Sequence, residues 1–220
     1  FTAGILLIFA NFAYAQIQNQ TSRLSQLELE ATARSKQMNL EVQGRREWTS
    51  DKNQQILENL KQRINQITDS KKRDAAEKIV DKMDQVYLAL TNHFIKVLDQ
   101  LDNVLQKIKS RSEKASANGH DIYKTNILVK KADVSIATAR AEVAKQVSKT
   151  YIVDITKIPQ TTYQNSLVSG FRTQFKTLRD KLFLDISALR YGFVKNARIS
   201  VENAFKELSQ ISNVNIEPNK

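Results

Sequence analysis

From Ile79 to Ile108 the large apolar residues fall at Ile79, Met83, Val86, Leu90, Phe94, Val97, Leu101, Val104 and Ile108, always three or four places apart. That spacing draws one line along an α-helix and does not fit a strand, whose faces alternate with period two. It predicts a helix of about 45 residues, near 70 Å long at 1.5 Å per residue. Ser70 or Asp69 supplies its N-cap, and Asn118-Gly119 ends it, glycine taking the left-handed conformation that helix termini favour.

The rest of the chain follows the same rule. Upstream, Leu24, Leu27, Ala31 and Met38 are continued by Leu57, Leu60, Ile64 and Ile67, after an interruption between Gly44 and Asp51 that holds Arg45, Arg46, Glu47 and a lone Trp48. This is one long helix with a weak middle or two collinear helices, Ser50 or Asp51 capping the restart. Trp48 plugs the end of a bundle, in the preferred reading, or is a surface contact. Downstream, Asp121 caps a helix that stops near Thr150, its Ala-rich buried side marked by Ile122, Leu128, Ala132, Ile136, Ala139, Val143 and Val147. Tyr151 to Gln160 (YIVDITKIPQ) is β-branched and carries Pro159, so it reads as an extended crossover. Thr161 or Thr162 caps a last helix along Val168, Phe171, Phe175, Leu178, Leu182, Ile186, Leu189, Phe193, Ala197, Val201, Phe205, Leu208 and Ile211. Gly170 and Gly192 inside it mark close packing or slight bends, and Asn213 to Lys220 is a frayed tail. Phe183 falls off this line, widens the apolar face and suggests contact with a second partner.

Composition closes off the alternatives. Five Gly and two Pro in 220 residues are too few for the turns of a β-sandwich, a Rossmann fold or a barrel. The stripes are narrow, which suits long rods packed side by side. The expected fold is therefore all-α: an elongated, antiparallel, coiled-coil-like bundle of three to four long helices after an N-terminal signal segment. Its parts are residues 1–15, a helical hairpin over 16–117, an Ala-rich helix with its crossover over 118–160, a long helix over 161–212 and a tail over 213–220.

Catalytic chemistry finds little support. No cysteine is present, so thiolate nucleophiles, disulfides and Cys-based metal sites are excluded. His93 and His120 read as a half-exposed helical residue and a turn residue, without HExxH or equivalent spacing. Glu77, Asp81 and Asp84 share a helix face, as do Asp99 and Asp102, and both sets read as solvated. Ser169-Gly170 lacks the glycine that a nucleophile elbow needs two places before the serine. No glycine-rich phosphate loop exists. The expectation is a protein that is not an enzyme and uses no cofactor.

Phe1 to Ala15 (FTAGILLIFANFAYA) carries no charge and ends in Ala13, Tyr14 and Ala15, the small-x-small pattern of a secretory signal cut before Gln16. Its competitor is an uncleaved anchor, for which about 20 apolar residues are needed. Either places the remaining chain outside the cytoplasm: periplasmic, cell-surface or secreted. The formal net charge is +11, spread as +4 over residues 23–115, +3 over 116–160 and +4 over 161–220. Its tightest clusters are Arg45-Arg46, Lys71-Lys72-Arg73 and Lys130-Lys131, the candidate contacts to a polyanion. Even spreading argues against a specific nucleic-acid binder. The expected partners are a protein or a second copy along the helical stripes, and an anionic envelope polymer. Membrane contact is expected only through residues 1–15.

Residues 98–143 resemble uncharacterised secreted helical proteins of small-genome bacteria. The shared elements are the Leu-Asp repeat Leu98-Asp99 and Leu101-Asp102, the Ile-x-Ser-Arg element Ile108, Ser110-Arg111, the Gly119-x-Asp121 turn, Lys124 and Ala132. The resemblance implies a helical, exported protein and brings no activity or functional residue with it. The leading functional expectation is a non-enzymatic extracytoplasmic scaffold or interaction protein of the envelope. The alternative is a basic periplasmic holdase-type chaperone or polyanion binder. A membrane-active amphipathic protein ranks third, because the stripes are narrow.

Overall fold

A computed structural model of the chain describes residues 29, 33–34, 36–38, 40–45, 47, 54, 56–158 and 163–211, apart from the side chains of Asp84, Ile155 and Gln164. The protein is all-α, and among the described residues no strand occurs. Short helical stretches at residues 40–45 and 56–65 precede α1 (Ser70–Ala117), α2 (Tyr123–Val147), a 3-10 turn (Ile155–Lys157), α3 (Gln164–Ala188), a π-helical segment (Leu189–Val194) and α4 (Lys195–Ser209).

The helix ends fall where local chemistry puts them. The backbone N–H of Lys72 donates to Asp69 Oδ1 at 3.2 Å, so Asp69 is the cap of the 48-residue α1. That backbone hydrogen bond is the main reason the Asp69 carboxyl sits below the usual carboxylate range. At the other end Gly119 adopts φ 82°, His120 N–H reaches Ala115 O at 3.0 Å and Gly119 N–H reaches Ser116 O at 3.0 Å. This is a Schellman closure, which requires the left-handed residue that glycine takes without strain. Asp121 Oδ1 then accepts the N–H of Tyr123 at 2.9 Å and starts α2. In the crossover, Asp154 accepts both the N–H (3.1 Å) and the hydroxyl (2.6 Å) of Thr156, shaping the 3-10 turn. Thr161 and Thr162 lie outside the described residues, and α3 begins after Tyr163, which makes no side-chain cap bond.

The chain forms two compact units. Of the described residues, the first contains Asp99–Ile136 and 197–211; the second contains those within Met38–Leu98 and Ala137–Asn196. In the first unit α1 and α2 run antiparallel, since Lys109 pairs with Asp133 (2.8 Å) and Ser112 donates to Asn126 (3.4 Å). Ser135 of α2 meets Ser200 of α4 at 3.0 Å. The Ala-rich side of α2 is closed: Ala132, Ile136 and Ala139 are buried. In the second unit the core is Leu60, Ile64, Ile67, Ala76, Val153, Ile158, Leu167, Phe171 and Phe175, so the crossover contributes apolar anchors as well as length.

Two faces differ from their sequence expectation. On α1, Met83, Phe94 and Ile108 point inward as expected, but Ile79, Val86 and Val104 are exposed. The buried seam runs through Ala76, Tyr87, Thr91, Phe94, Leu98, Asp102, Leu105, Ser112 and Ala115. It keeps helical spacing but admits polar residues, which an apolar-only reading discards. For the same reason Asp102, expected to be solvated, is buried, while Asp99 is half-buried. On the last helix the buried line steps five places, from Leu189 to Val194, across the π segment. It continues as Ala197, Val201, Ala204 and Leu208, which leaves Phe193 half-buried and Phe205 49% exposed. Gly192 lies in the π segment and a Cβ there would meet nothing within 4 Å, so close packing is not its reason.

Gln106 is a misfit of the first unit. It is buried on α1, and neither its Oε1 nor its Nε2 has a hydrogen-bond partner. A buried amide without partners carries a desolvation penalty of about 1–3 kcal/mol. Gln106→Leu, close in size and free of polar atoms, is therefore expected to stabilise the protein by about 1–2 kcal/mol, read as a raised midpoint in urea unfolding.

Candidate functional site

The densest polar arrangement among the described residues lies in the second unit, where α1, the end of α2, the crossover and α3 meet. Tyr87 of α1 is buried and its hydroxyl donates to the backbone carbonyl of Gln146. The Gln146 side-chain Nε2 donates to the Tyr151 hydroxyl, which in turn donates to Asp185 Oδ2 at 2.6 Å. Lys149 Nζ holds the other oxygen, Oδ1, at 2.8 Å. The rings of Tyr87 and Tyr151 lie 5.2 Å apart and tilted, and Lys181 Nζ stands 6.0 Å from the Tyr151 ring centre. One helical turn on, the buried Thr91 returns its hydroxyl to the carbonyls of Tyr87 and Leu88.

Electrostatics decide what this chain of bonds can do. Burial and the neighbouring Asp185 push the Tyr151 phenol well above its ordinary value. Burial alone would raise Asp185, but hydrogen bonds from Lys149 and Tyr151 and the charges of Lys149 and Lys181 outweigh it and hold the carboxyl low. Acid–base catalysis wants groups that titrate near the working pH. Here the donor and the acceptor are driven apart, so a neutral phenol is locked onto an ionised carboxylate. The arrangement is a clamp that ties the crossover to three helices. Sequence reading missed it, because its partners lie 34 and 59 residues apart. The available signal was Tyr87 and Thr91, one turn apart within the seam register.

The predicted basic residues are scattered. Arg45 is engaged, pairing with Glu41 at 2.6 Å and donating to Ser148 Oγ at 2.8 Å. Arg46 and Trp48 lie outside the described residues. Lys71 and Lys72 are exposed and Arg73 is half-buried at the start of α1, with Lys72 3.5 Å from the capping Asp69. Lys130 and Lys131 are exposed on α2, in the first unit. His93 is exposed and His120 half-buried. Among the described residues no group of three or more His, Cys, Asp or Glu side chains could hold a metal ion, and no described helix is long and apolar enough to cross a membrane.

Fold and site together define an all-α protein with capped long helices, a polar interior clamp and large apolar side chains left on its outer faces. No family model matches the chain, no curated protein matches it, and no solved structure matches the fold.

Proposed function

We propose that the chain is a non-enzymatic helical scaffold or interaction protein that works outside the cytoplasm, in the cell envelope. One observation carries this reading. On α2 the buried line is Thr125, Val129, Ala132 and Ile136, yet Tyr123, Ile127 and Val134 form a second apolar row that faces out. Such a row at helical spacing suits a further helix, from a partner protein or a second copy. The envelope assignment draws on the uncharged apolar residues 1–15 and the small-x-small pattern before Gln16. The likeness of residues 98–143 to secreted helical proteins of small-genome bacteria points the same way.

A second reading, a basic holdase-type chaperone or polyanion binder, is favoured by Lys130 and Lys131, which stand exposed between Ile127 and Val134. Mixed apolar and cationic surface is what a client-holding protein needs. An anionic envelope polymer would meet the same lysines.

Light scattering with small-angle X-ray scattering over a concentration series separates the two. A scaffold self-associates or takes up a helical partner in fixed ratio, and Ile127→Glu with Val134→Glu abolishes the association while helicity stays unchanged. A holdase instead suppresses aggregation of an unfolded client at near-stoichiometric ratio, and salt weakens the effect. An all-concentration monomer that holds no client and takes up no partner would remove both readings.

A further inference from the structure

We propose that the outer face of α3 is a docking surface for an anionic lipid membrane, with the helix lying along the head-group region. Arg172, Lys176, Arg179 and Phe183 follow one another at steps of four, three and four, so they share a side of α3, and Arg190, seven places on, lies at the start of the π segment that continues it. All five are exposed. Beside them Leu184 and Tyr191, seven places apart, form a second exposed line. Phe183 and Leu184 are 70% and 68% exposed, adjacent and off the buried core of Phe171, Phe175, Leu182 and Leu189.

The charges on this face are only partly engaged. Among the described residues Arg179 pairs only with its neighbour Asp180 (2.8 Å), in an exposed contact, and Arg190 lies over the Tyr191 ring at 5.3 Å. Among the described residues Arg172 and Lys176 make no ion pair. The other carboxylate of α3, Asp185, is consumed by Lys149 and Tyr151. Asp180 lies on the same side, between the cation row and Leu184, and offsets Arg179, while Glu202 and Glu207 lie beyond α3; the face keeps a cationic excess that net charge counted by stretches of sequence hides.

Charge and apolarity together choose the occupant. A second copy meeting this face would set the cations of one chain against those of the other. A soluble polyanion would satisfy the cations and leave Phe183 and Leu184 in water. An anionic bilayer satisfies both: phosphates at the depth of the guanidinium and ammonium groups, with the ring and the leucine reaching the acyl boundary. The helix lies on the surface and does not span, since no described helix is long and apolar enough to cross. Each cation held near an anionic leaflet strengthens binding about fivefold.

The chain has no cysteine, so Leu184→Cys in the full protein gives a single site for an environment-sensitive fluorophore. Vesicles of phosphatidylcholine with phosphatidylglycerol are expected to shift its emission to the blue, and nitroxide-labelled lipid to quench it. Phosphatidylcholine alone should do neither. The same label at Lys78→Cys is expected to stay in water, because Lys78 is exposed opposite Ala76, Val80 and Met83, which face the core shared with Phe171 and Phe175. Arg172→Glu with Lys176→Glu, and separately Phe183→Ser with Leu184→Ser, are each expected to lower vesicle affinity at least about tenfold with circular dichroism unchanged. Three results overturn the proposal. One is no emission shift at position 184 on the anionic vesicles. Another is full vesicle affinity after Phe183→Ser and Leu184→Ser. The third is equally tight binding of polyglutamate or heparin through the same cations, which would make the face a polyanion or acidic-protein site.

Discussion

Replacing Phe171 with alanine costs about 4 kcal/mol of stability, whereas the same change at Phe205 costs less than about 0.5 kcal/mol. The two phenylalanines lie on one line when the sequence is read alone, so the contrast isolates what folding adds. Phe171 is 2% exposed, stacks on Phe175 with ring centres 6.1 Å apart, and lies in the cluster with Leu60, Ile64, Ile67 and Ile158. Truncation removes the transfer energy of the ring and leaves a cavity that several elements border, which is the costly case. Phe205 follows the π segment and projects half into water, so its removal takes little from the core and alanine favours the helix. Urea unfolding followed by circular dichroism measures both changes. Equal losses at the two positions would mean that the helix keeps one register throughout and has no five-residue step.

That step marks the boundary of what the residues disclose by themselves. Helix ends are legible because a cap is a contract between neighbours: Asp69 with Lys72, Gly119 with Ser116, Asp121 with Tyr123. Helix faces are less so. The α1 line through Ile79, Val86 and Val104 is apolar, yet the seam that closes carries Tyr87, Thr91, Asp102 and Ser112 instead. A buried polar residue such as Tyr87 or Ser112 is held by a partner on another helix, and spacing does not name that partner. The π segment is of the same kind, since a five-residue step is chosen by packing on both sides of Leu189 and Val194. For the surface, grouping adjacent basic residues singled out Arg45, Lys72 and their neighbours, of which Arg45 serves Glu41 and Ser148 and Lys72 stands beside a cap. The row Arg172, Lys176, Arg179 and Phe183 is periodic rather than contiguous, and the same three-and-four rule applied to cations brings it out.

The largest polar effect is expected at the Tyr151–Asp185 bond. Asp185→Asn keeps the size but leaves one acceptor oxygen, so its Nδ2 meets a second donor and one of the two charge-assisted hydrogen bonds is lost, a cost of about 2 kcal/mol near neutral pH. Lys149 is 42% exposed, so most of the loss belongs to the phenol and not to the ion pair. Tyr151→Phe leaves the Gln146 amide and the carboxylate without their shared partner and costs a similar amount. The pH dependence separates the two. The folded-state value of Asp185 is lowered, so its contribution is complete above about pH 4, the unfolded value, and is lost as pH falls further. Wild type and Asp185→Asn therefore converge in acid. The folded-state value of Tyr151 is raised, so its contribution is complete below about pH 10 and is lost as pH rises through the folded value. Wild type and Tyr151→Phe therefore converge in alkali. Because one bond is common to both residues, the double variant loses less than the sum of the singles. Stability curves that stay parallel at every pH, or losses that simply add, would mean that phenol and carboxylate are not joined in solution, and the crossover would then be held chiefly by its apolar anchors Ile152, Val153 and Ile158.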